Sequence, residues 1–224
     1  MRLWLRNQSL SLFFLVLFLA TLIGQSLAGQ RAFNEDQLQH GSETVSYGRY
    51  LLSSHFGQAM LENWQSEYLQ FTLFIVATVW LIQRGSNESK RLEDAGRESD
   101  EQQQLGTHAK HRTPAWAKVG GWRTAIYSNS LVIVMSFIFF ASWLGQSVTG
   151  WTEYNAEQRE HGDAPVSWAD YIVRADFWEN TLQNWQSEFL AVGTMAVYTI
   201  YLRQRGSPES KPVGAPHDQT GTSG

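Results

Sequence analysis

Five residues that could form a polar site occur twice in the chain, at positions 63–67 and 184–188. Each copy reads Asn-Trp-Gln-Ser-Glu and stands directly before an apolar segment. Amide, hydroxyl and carboxylate groups at this spacing can bind an ion or a small polar solute, or they can hydrogen-bond to neighbouring membrane helices. The indole rings of Trp64 and Trp185 favour the boundary between water and a bilayer.

Two glutamines near the ends of other apolar segments extend this candidate cluster. A carboxylate beside hydrocarbon is costly unless it is paired, so we expect the Asn/Glu face of each copy to point into a helix bundle and the tryptophan to point to lipid. A structural role and a binding role both remain open, and the structural one is favoured because polar residues hold membrane helices together in general. The predicted cluster comprises Gln25, Asn63, Gln65, Ser66, Glu67, Gln146, Asn184, Gln186, Ser187 and Glu188.

Several kinds of chemistry are excluded by composition and spacing. The chain of 224 residues has no cysteine, so disulfides, thiolate metal sites and a cysteine nucleophile are absent. No histidine lies in an apolar segment, and His40 and His161, each followed by glycine, are read as turn residues instead of zinc ligands. We therefore expect no catalytic residue, no metal site, no cofactor and no nucleic-acid partner.

The two polar motifs belong to a longer duplication with a shift of 121 residues. About 33 of the 84 positions from 7 to 90 are identical in the second copy. Each copy contains two apolar segments, which predicts an all-α membrane protein with four transmembrane helices, arranged as two tandem helix-pair repeats in parallel orientation. The predicted spans are residues 9–29, 65–83, 130–150 and 186–204.

The first apolar segment also resembles a secretory signal, because it follows a basic start and ends in Ser-Leu-Ala. Its equivalent at 130–150 lies in mid-chain, where no signal peptide can be, so we interpret both as retained spans. Both carry small residues four apart, a pattern typical of tight helix packing. These ridges are Ala20, Gly24 and Ala28 in the first copy, and Ala141, Gly145 and Thr149 in the second.

The remaining segments set the domain boundaries. Residues 1–90 form the first predicted repeat, 91–120 a disordered linker, 121–211 the second repeat and 212–224 a disordered tail. Between the spans of each repeat, Ser46 and Ser167 are predicted to cap helices, which are either short helices on the outer membrane surface or an early start of the next helix.

The distribution of positive charge predicts the orientation. Thirteen of the 17 lysines and arginines lie in the amino terminus, the linker and the tail, and four lie between the spans of a repeat. This bias places both termini in the cytoplasm. Arg84 and Arg205 follow the second span of each repeat and are expected to reach the headgroups as interfacial anchors, while Gly85 and Gly206 suit helix ends.

The doubled Gly-Gln-Ser, Asn-Trp-Gln-Ser-Glu and Gln-Arg-Gly-Ser-x-Glu-Ser-Lys pattern resembles a family of uncharacterised bacterial membrane proteins with two similar helix-pair halves. The resemblance covers nearly the whole chain outside the linker and the tail. It implies bacterial origin and this architecture, and it transfers no functional residue.

Three classes of function are compatible with these features. The favoured one is a non-enzymatic protein of the bacterial inner membrane, acting as a scaffold or as an accessory subunit of a membrane complex. The alternative is a small transporter or channel that works as an oligomer with an outer polar site, and a membrane-embedded enzyme is third. The expected partners are the lipid bilayer and a homo-oligomer or larger membrane complex.

Overall fold

The computed structural model describes residues 2–98 and 101–221. Within them all regular secondary structure is helical, which confirms the predicted all-α class. Three short 3₁₀ turns lie between Leu92 and His108. The helices are α1 (Arg2–Asn7), α2 (Ser9–Gln39), α3 (Tyr47–Leu51), α4 (Ser54–Trp80), α5 (Ala115–Lys118), α6 (Gly121–Ser128), α7 (Ser130–Glu160), α8 (Trp168–Tyr171) and α9 (Ala175–Tyr201).

Helices α2 and α7 are the two in the described part of the chain that are long and apolar enough to cross a membrane. Each has 31 residues, or about 46 Å at a rise of 1.5 Å per residue, against a hydrocarbon core of about 30 Å. The predicted spans 9–29 and 130–150 form the amino-terminal two thirds of these helices. Their last ten residues are polar and continue the helix beyond the apolar segment.

Helices α4 and α9 contain the other two predicted spans, but their bounds differ from the prediction. Each has 27 residues and begins 11 residues before the predicted span. Each also ends three residues early, at Trp80 and Tyr201 instead of 83 and 204. In the loop that follows, the third backbone N–H after each helix finds a side-chain acceptor.

That loop is the Gln-Arg-Gly-Ser motif, which forms the same turn in both copies. The N–H of Gln83 donates to Ser89 Oγ at 2.9 Å, and the N–H of Gln204 donates to Ser210 Oγ at 2.8 Å. The glycine of each turn has a positive φ, 86° at Gly85, which a residue with a side chain adopts rarely. Gly85 and Gly206 therefore shape this turn, and their predicted role at the helix end is wrong.

The described chain divides into two compact units. One comprises Met1–Met60 with Gly145–Trp168, and the other comprises Leu61–Leu144 with Ala169–Gly224. The predicted repeats follow a different division, and their boundaries stay a prediction. The predicted linker and tail include residues 99–100 and 222–224, which lie outside the described residues.

In the first unit, an asparagine on each long helix holds the chain that returns from it; we call this pair of hydrogen bonds the asparagine clip. The Asn34 side chain accepts the N–H of Val45 at 2.8 Å and donates to its carbonyl at 3.1 Å. Asn155 bonds Val166 in the same way, at 2.8 and 2.9 Å. The amide side chain thus satisfies both backbone groups of an extended residue, as a neighbouring β-strand would.

Equivalent positions in the two copies keep this clip with different side chains. Gln30 Nε2 donates to the Val45 carbonyl at 3.1 Å, and in the second copy the indole of Trp151 donates to Val166 at 2.8 Å. The short helices α3 and α8 begin directly after Ser46 and Ser167, at the predicted positions.

Candidate functional site

The first Asn-Trp-Gln-Ser-Glu copy lies on α4 in the second unit, and its middle residues face inward. Gln65 is 0% exposed and Ser66 is 1% exposed, whereas Asn63 and Glu67 are exposed. We expected the Asn/Glu face to point into the bundle, so that orientation is wrong for this copy. The buried hydroxyl of Ser66 has a hydrogen-bond partner in its own helix, because it donates to the Asn63 carbonyl at 2.9 Å.

The second copy, on α9, presents a different face. Here Gln186 and Ser187 are exposed, while Asn184 and Glu188 are half-buried. Identical five-residue sequences therefore occupy different environments, which a symmetrical contact between the copies would not produce.

One hydrogen bond joins the two copies directly. The indole N–H of Trp185 donates to Gln65 Oε1 at 2.7 Å, and Gln65 Nε2 donates to the Glu62 carbonyl at 3.1 Å. Both ends of the buried amide are thereby satisfied. This bond uses the polar atom of Trp185 for a contact between α4 and α9, and its predicted role as an interfacial anchor stays a prediction.

An aromatic cluster surrounds this bond in the second unit, with Trp143 at its centre. The Trp143 ring stacks on Phe139 and on Phe177, with centroids 5.7 and 6.2 Å apart, and it meets Trp185 at 5.9 Å. Two buried polar atoms of the cluster, Trp143 Nε1 and Thr181 Oγ1, have no hydrogen-bond partner. Large rings packed in this way contribute stability through burial and favourable ring geometry.

The two candidate glutamines of the first unit also differ from each other in burial. Gln25 on α2 is exposed, whereas Gln146 on α7 is 2% exposed, with its Oε1 buried and unpaired. The neighbouring serines of both copies are buried and take an aromatic partner from the short helix that follows. Ser26 Oγ lies 2.6 Å from the Tyr47 hydroxyl, and Trp168 Nε1 donates to Ser147 Oγ at 3.1 Å.

The sequence analysis missed a polar group in the first unit, formed by Ser54, His55 and Glu153. Ser54 Oγ donates to one Glu153 carboxylate oxygen at 2.7 Å, and His55 Nδ1 lies 3.2 Å from the other. The His55 ring packs against Phe33, with centroids 5.0 Å apart. The duplication hid this group, because Ala175, Asp176 and Ala32 replace its three members in the other copy.

The pKa of Glu153 reflects these contacts. Burial raises the pKa, but the hydrogen bonds from His55 and Ser54, together with the charge of His55, lower it by more, so the pKa lies below its ordinary value. Glu153 lies beyond the apolar segment of α7. The arrangement suits a charge-assisted link between α4 and α7.

The predicted anchors Arg84 and Arg205 are both exposed, and Arg84 lies 3.5 Å from Asp218. The lysine that closes the second Gln-Arg-Gly-Ser motif is instead buried. Lys211 is 1% exposed, and its ammonium group donates to four main-chain carbonyls. These belong to Gly85, Pro216, His217 and Gln219, at 2.6 to 3.1 Å.

Burial lowers the pKa of Lys211, the charge of Arg203 lowers it further, and Asp218 partly opposes both effects. The carbonyl cradle of Lys211 draws residues 212–221 against the Gly85 turn. The disorder predicted for the tail stays a prediction, but its described residues make these contacts.

The residues that sequence reasoning missed left a signal in the duplication. Asn34 and Val45 recur unchanged as Asn155 and Val166, although most positions around them differ between the copies. Within the described residues, no group of three or more His, Cys, Asp or Glu side chains is placed to hold a metal ion. The polar groups found here join helices and loops to each other.

A family model described as Domain of unknown function (DUF6766) matches residues 1–222. No curated protein and no solved structure matched the chain.

The bond between Trp185 and Gln65 can be tested by a double-mutant cycle. We expect Gln65→Leu and Trp185→Phe each to lower stability by about 1–3 kcal/mol, since each leaves a buried polar partner unpaired. The double variant should cost less than the sum of the two, because no partner is left behind. Thermal unfolding in one detergent measures all three.

The matched control is Gln186→Leu, the same change in the other copy. Gln186 is exposed, so its loss should change stability by less than about 0.5 kcal/mol. Equal effects of Gln65→Leu and Gln186→Leu would contradict the asymmetric placement of the copies.

The link at Glu153 predicts a pH-dependent stability difference. Because its pKa is lower in the folded protein, the stabilisation is present above the unfolded value of about 4.3 and is lost as the pH falls through the folded value. Glu153→Gln should therefore lower the free energy of unfolding at pH 7 by about 1–2 kcal/mol relative to the natural protein. This difference should vanish in acid. The control is Glu157→Gln, an exposed change on the same helix, which should alter neither the stability at pH 7 nor its pH dependence. A loss of stability in Glu153→Gln that does not depend on pH would refute the ionic contribution.

Proposed function

The chain belongs to the family described as Domain of unknown function (DUF6766), and we propose that it is a non-enzymatic integral protein of the bacterial inner membrane. In this proposal it acts as a scaffold or as an accessory subunit of a membrane complex. All four long helices span the bilayer: α2 and α7, and also α4 and α9. Residues 68–82 and 189–202 carry no charged side chain, which supports the two additional spans.

Both termini lie in the cytoplasm in this proposal, supported by the excess of lysine and arginine in the amino terminus, the linker and the tail. Helices α3 and α8 then lie at the outer surface. The asparagine clips, which hold the chain after α2 and α7, belong to the same side.

The orientation predicts which engineered cysteines are reachable, and the natural chain has none to interfere. Cysteines at Ser42 and Asp163, which are equivalent positions, should react with an impermeant maleimide in intact cells. Cysteines at Glu98 and Gly214 should react only after the membrane is opened. The reverse pattern would show that the charge bias does not set the topology.

The exposed surface of α2 carries the proposal of a scaffold. Only 6% of the residues in its most apolar stretch are buried, against 22% in α7. Ala20, Gly24 and Ala28 are exposed, and a side-chain carbon placed on Gly24 would meet no atom within 4 Å. In a bilayer such a ridge allows another helix to approach closely, so we assign α2 to contact with a second copy or with a partner subunit.

A bulky residue on this ridge should break the assembly. We expect Gly24→Leu to shift the protein in lipid nanodiscs or mild detergent from an oligomer towards the single chain, as measured by light scattering after size exclusion. Ile23→Leu changes an exposed neighbour without filling the ridge and serves as the control. A single-chain mass for the natural protein would indicate that lipid alone covers α2.

A transporter or channel is the alternative. The unpaired polar atoms of Trp143 and Thr181 favour it, since buried polar groups in a membrane protein often serve a pathway. The uncharged span centres weigh against it. Solute flux in proteoliposomes containing only this protein would support the alternative and displace the scaffold role.

A further inference from the structure

A basic and aromatic segment, residues 105–129, immediately precedes α7. It contains Lys110, Arg112, Lys118 and Arg123, and no acidic residue occurs from position 102 to position 152. The chain as a whole is acidic, with a formal charge of −4, so this stretch differs in sign from the average. All four cationic side chains are exposed.

The structure folds this segment into the helix pair α5 and α6. The Thr124 hydroxyl donates to the Trp116 carbonyl at 2.7 Å, which ties α6 to α5. The rings of Trp116 and Trp122 meet edge to face, with centroids 6.3 Å apart and planes at 74°. Ala117, on α5, is buried. The rings are thus held by a folded element.

The same pair of helices leaves its large apolar side chains exposed. Trp122 is 65% exposed, and Trp116, Ile126 and Tyr127 are also exposed. The Arg123 guanidinium lies 5.5 Å from the centre of the Trp122 ring, which places a cation beside an apolar surface. Aromatic rings bordered by cations are typical of elements that rest at the boundary between headgroups and acyl chains.

The position of α6 in the chain identifies what covers this surface. Helix α6 ends at Ser128 and α7 begins at Ser130, so one residue separates the helix that carries Trp122 and Tyr127 from the apolar segment 130–150. A surface so close to a membrane span lies within reach of the same bilayer. Its charge is complementary to that of anionic phospholipids.

We propose that residues 105–129 form a docking surface for anionic phospholipid headgroups in the leaflet that α7 enters. The tryptophans and Ile126 insert between the headgroups, and the four cations contact lipid phosphates. Each cation near an anionic surface improves binding about fivefold. The inference depends on the membrane insertion of α7 within the proposed function, and does not depend on the scaffold role.

The test uses the full chain in vesicles, with a single nitroxide-labelled cysteine in place of Ile126. The vesicles contain phosphatidylcholine alone or mixed with phosphatidylglycerol. Relative accessibility of the label to oxygen and to a water-soluble nickel chelate reports its depth. We expect the label to lie at the headgroup boundary in phosphatidylglycerol vesicles, and to become more exposed to water in phosphatidylcholine or in high salt.

Charge removal supplies the matched comparison. Arg112→Gln should reduce the ratio of docked to undocked label about fivefold, and Lys110→Gln together with Arg112→Gln by about 25-fold. Neither residue belongs to α5 or α6, so the helices stay intact. Arg91→Gln removes an equally exposed cation outside the segment and should leave the label depth unchanged.

Three outcomes would overturn the proposal or its premise. In the first, the label lies in water in every vesicle while the protein stays membrane-bound after an alkaline wash. This result refutes the docking surface but not the insertion of α7, and it points to an acidic protein partner. A label equally deep in both lipids and in high salt refutes recognition of charge. Release of the protein by the alkaline wash contradicts the membrane insertion of the proposed function itself.

Discussion

The return of the chain after each long helix depends on one interaction, the asparagine clip. The residue at each return has a backbone donor and acceptor that must be satisfied, and no neighbouring strand is present in the described chain to satisfy them. Asn34 and Asn155 supply both partners from one side chain. The clip holds the chain where it turns back, shortly before α3 and α8 begin.

The duplicated sequence produces different surroundings because its copies contact each other unequally. In the second unit, Gln65 is buried and accepts the indole N–H of Trp185, whereas its counterpart Gln186 is exposed. A single asymmetric hydrogen bond therefore separates the roles of two identical motifs. The same applies to the link at Glu153, which exists in one copy because only there are all three side chains present.

Features set by periodicity and local chemistry could be predicted from the sequence, and those set by neighbours could not. The apolar segments of α2 and α7 follow from composition, and α3 and α8 start at the expected positions, although the Ser46 side chain makes no capping hydrogen bond. The inward position of Gln65 depends on which face of α4 meets α9, which the motif does not encode. Beyond the end of α4 at Trp80, the Gln83 N–H bonds the hydroxyl of Ser89 six residues away, a loop contact that helical periodicity does not predict. The link at Glu153 joins residues 98 apart and leaves no local pattern.

The cradle around Lys211 has a consequence for how the carboxyl-terminal region can vary. Three ammonium hydrogens are shared among four acceptors, and every acceptor is a main-chain oxygen. Hydrogen bonds to main-chain oxygens depend on the path of the backbone and not on the identity of most of its side chains. Substitutions at positions such as Val213 or Gln219 can therefore accumulate without loosening it, whereas an insertion or deletion between Lys211 and Gln219 moves the oxygens out of register. Tolerance of residue change combined with intolerance of length change is the expected signature of this segment among related chains.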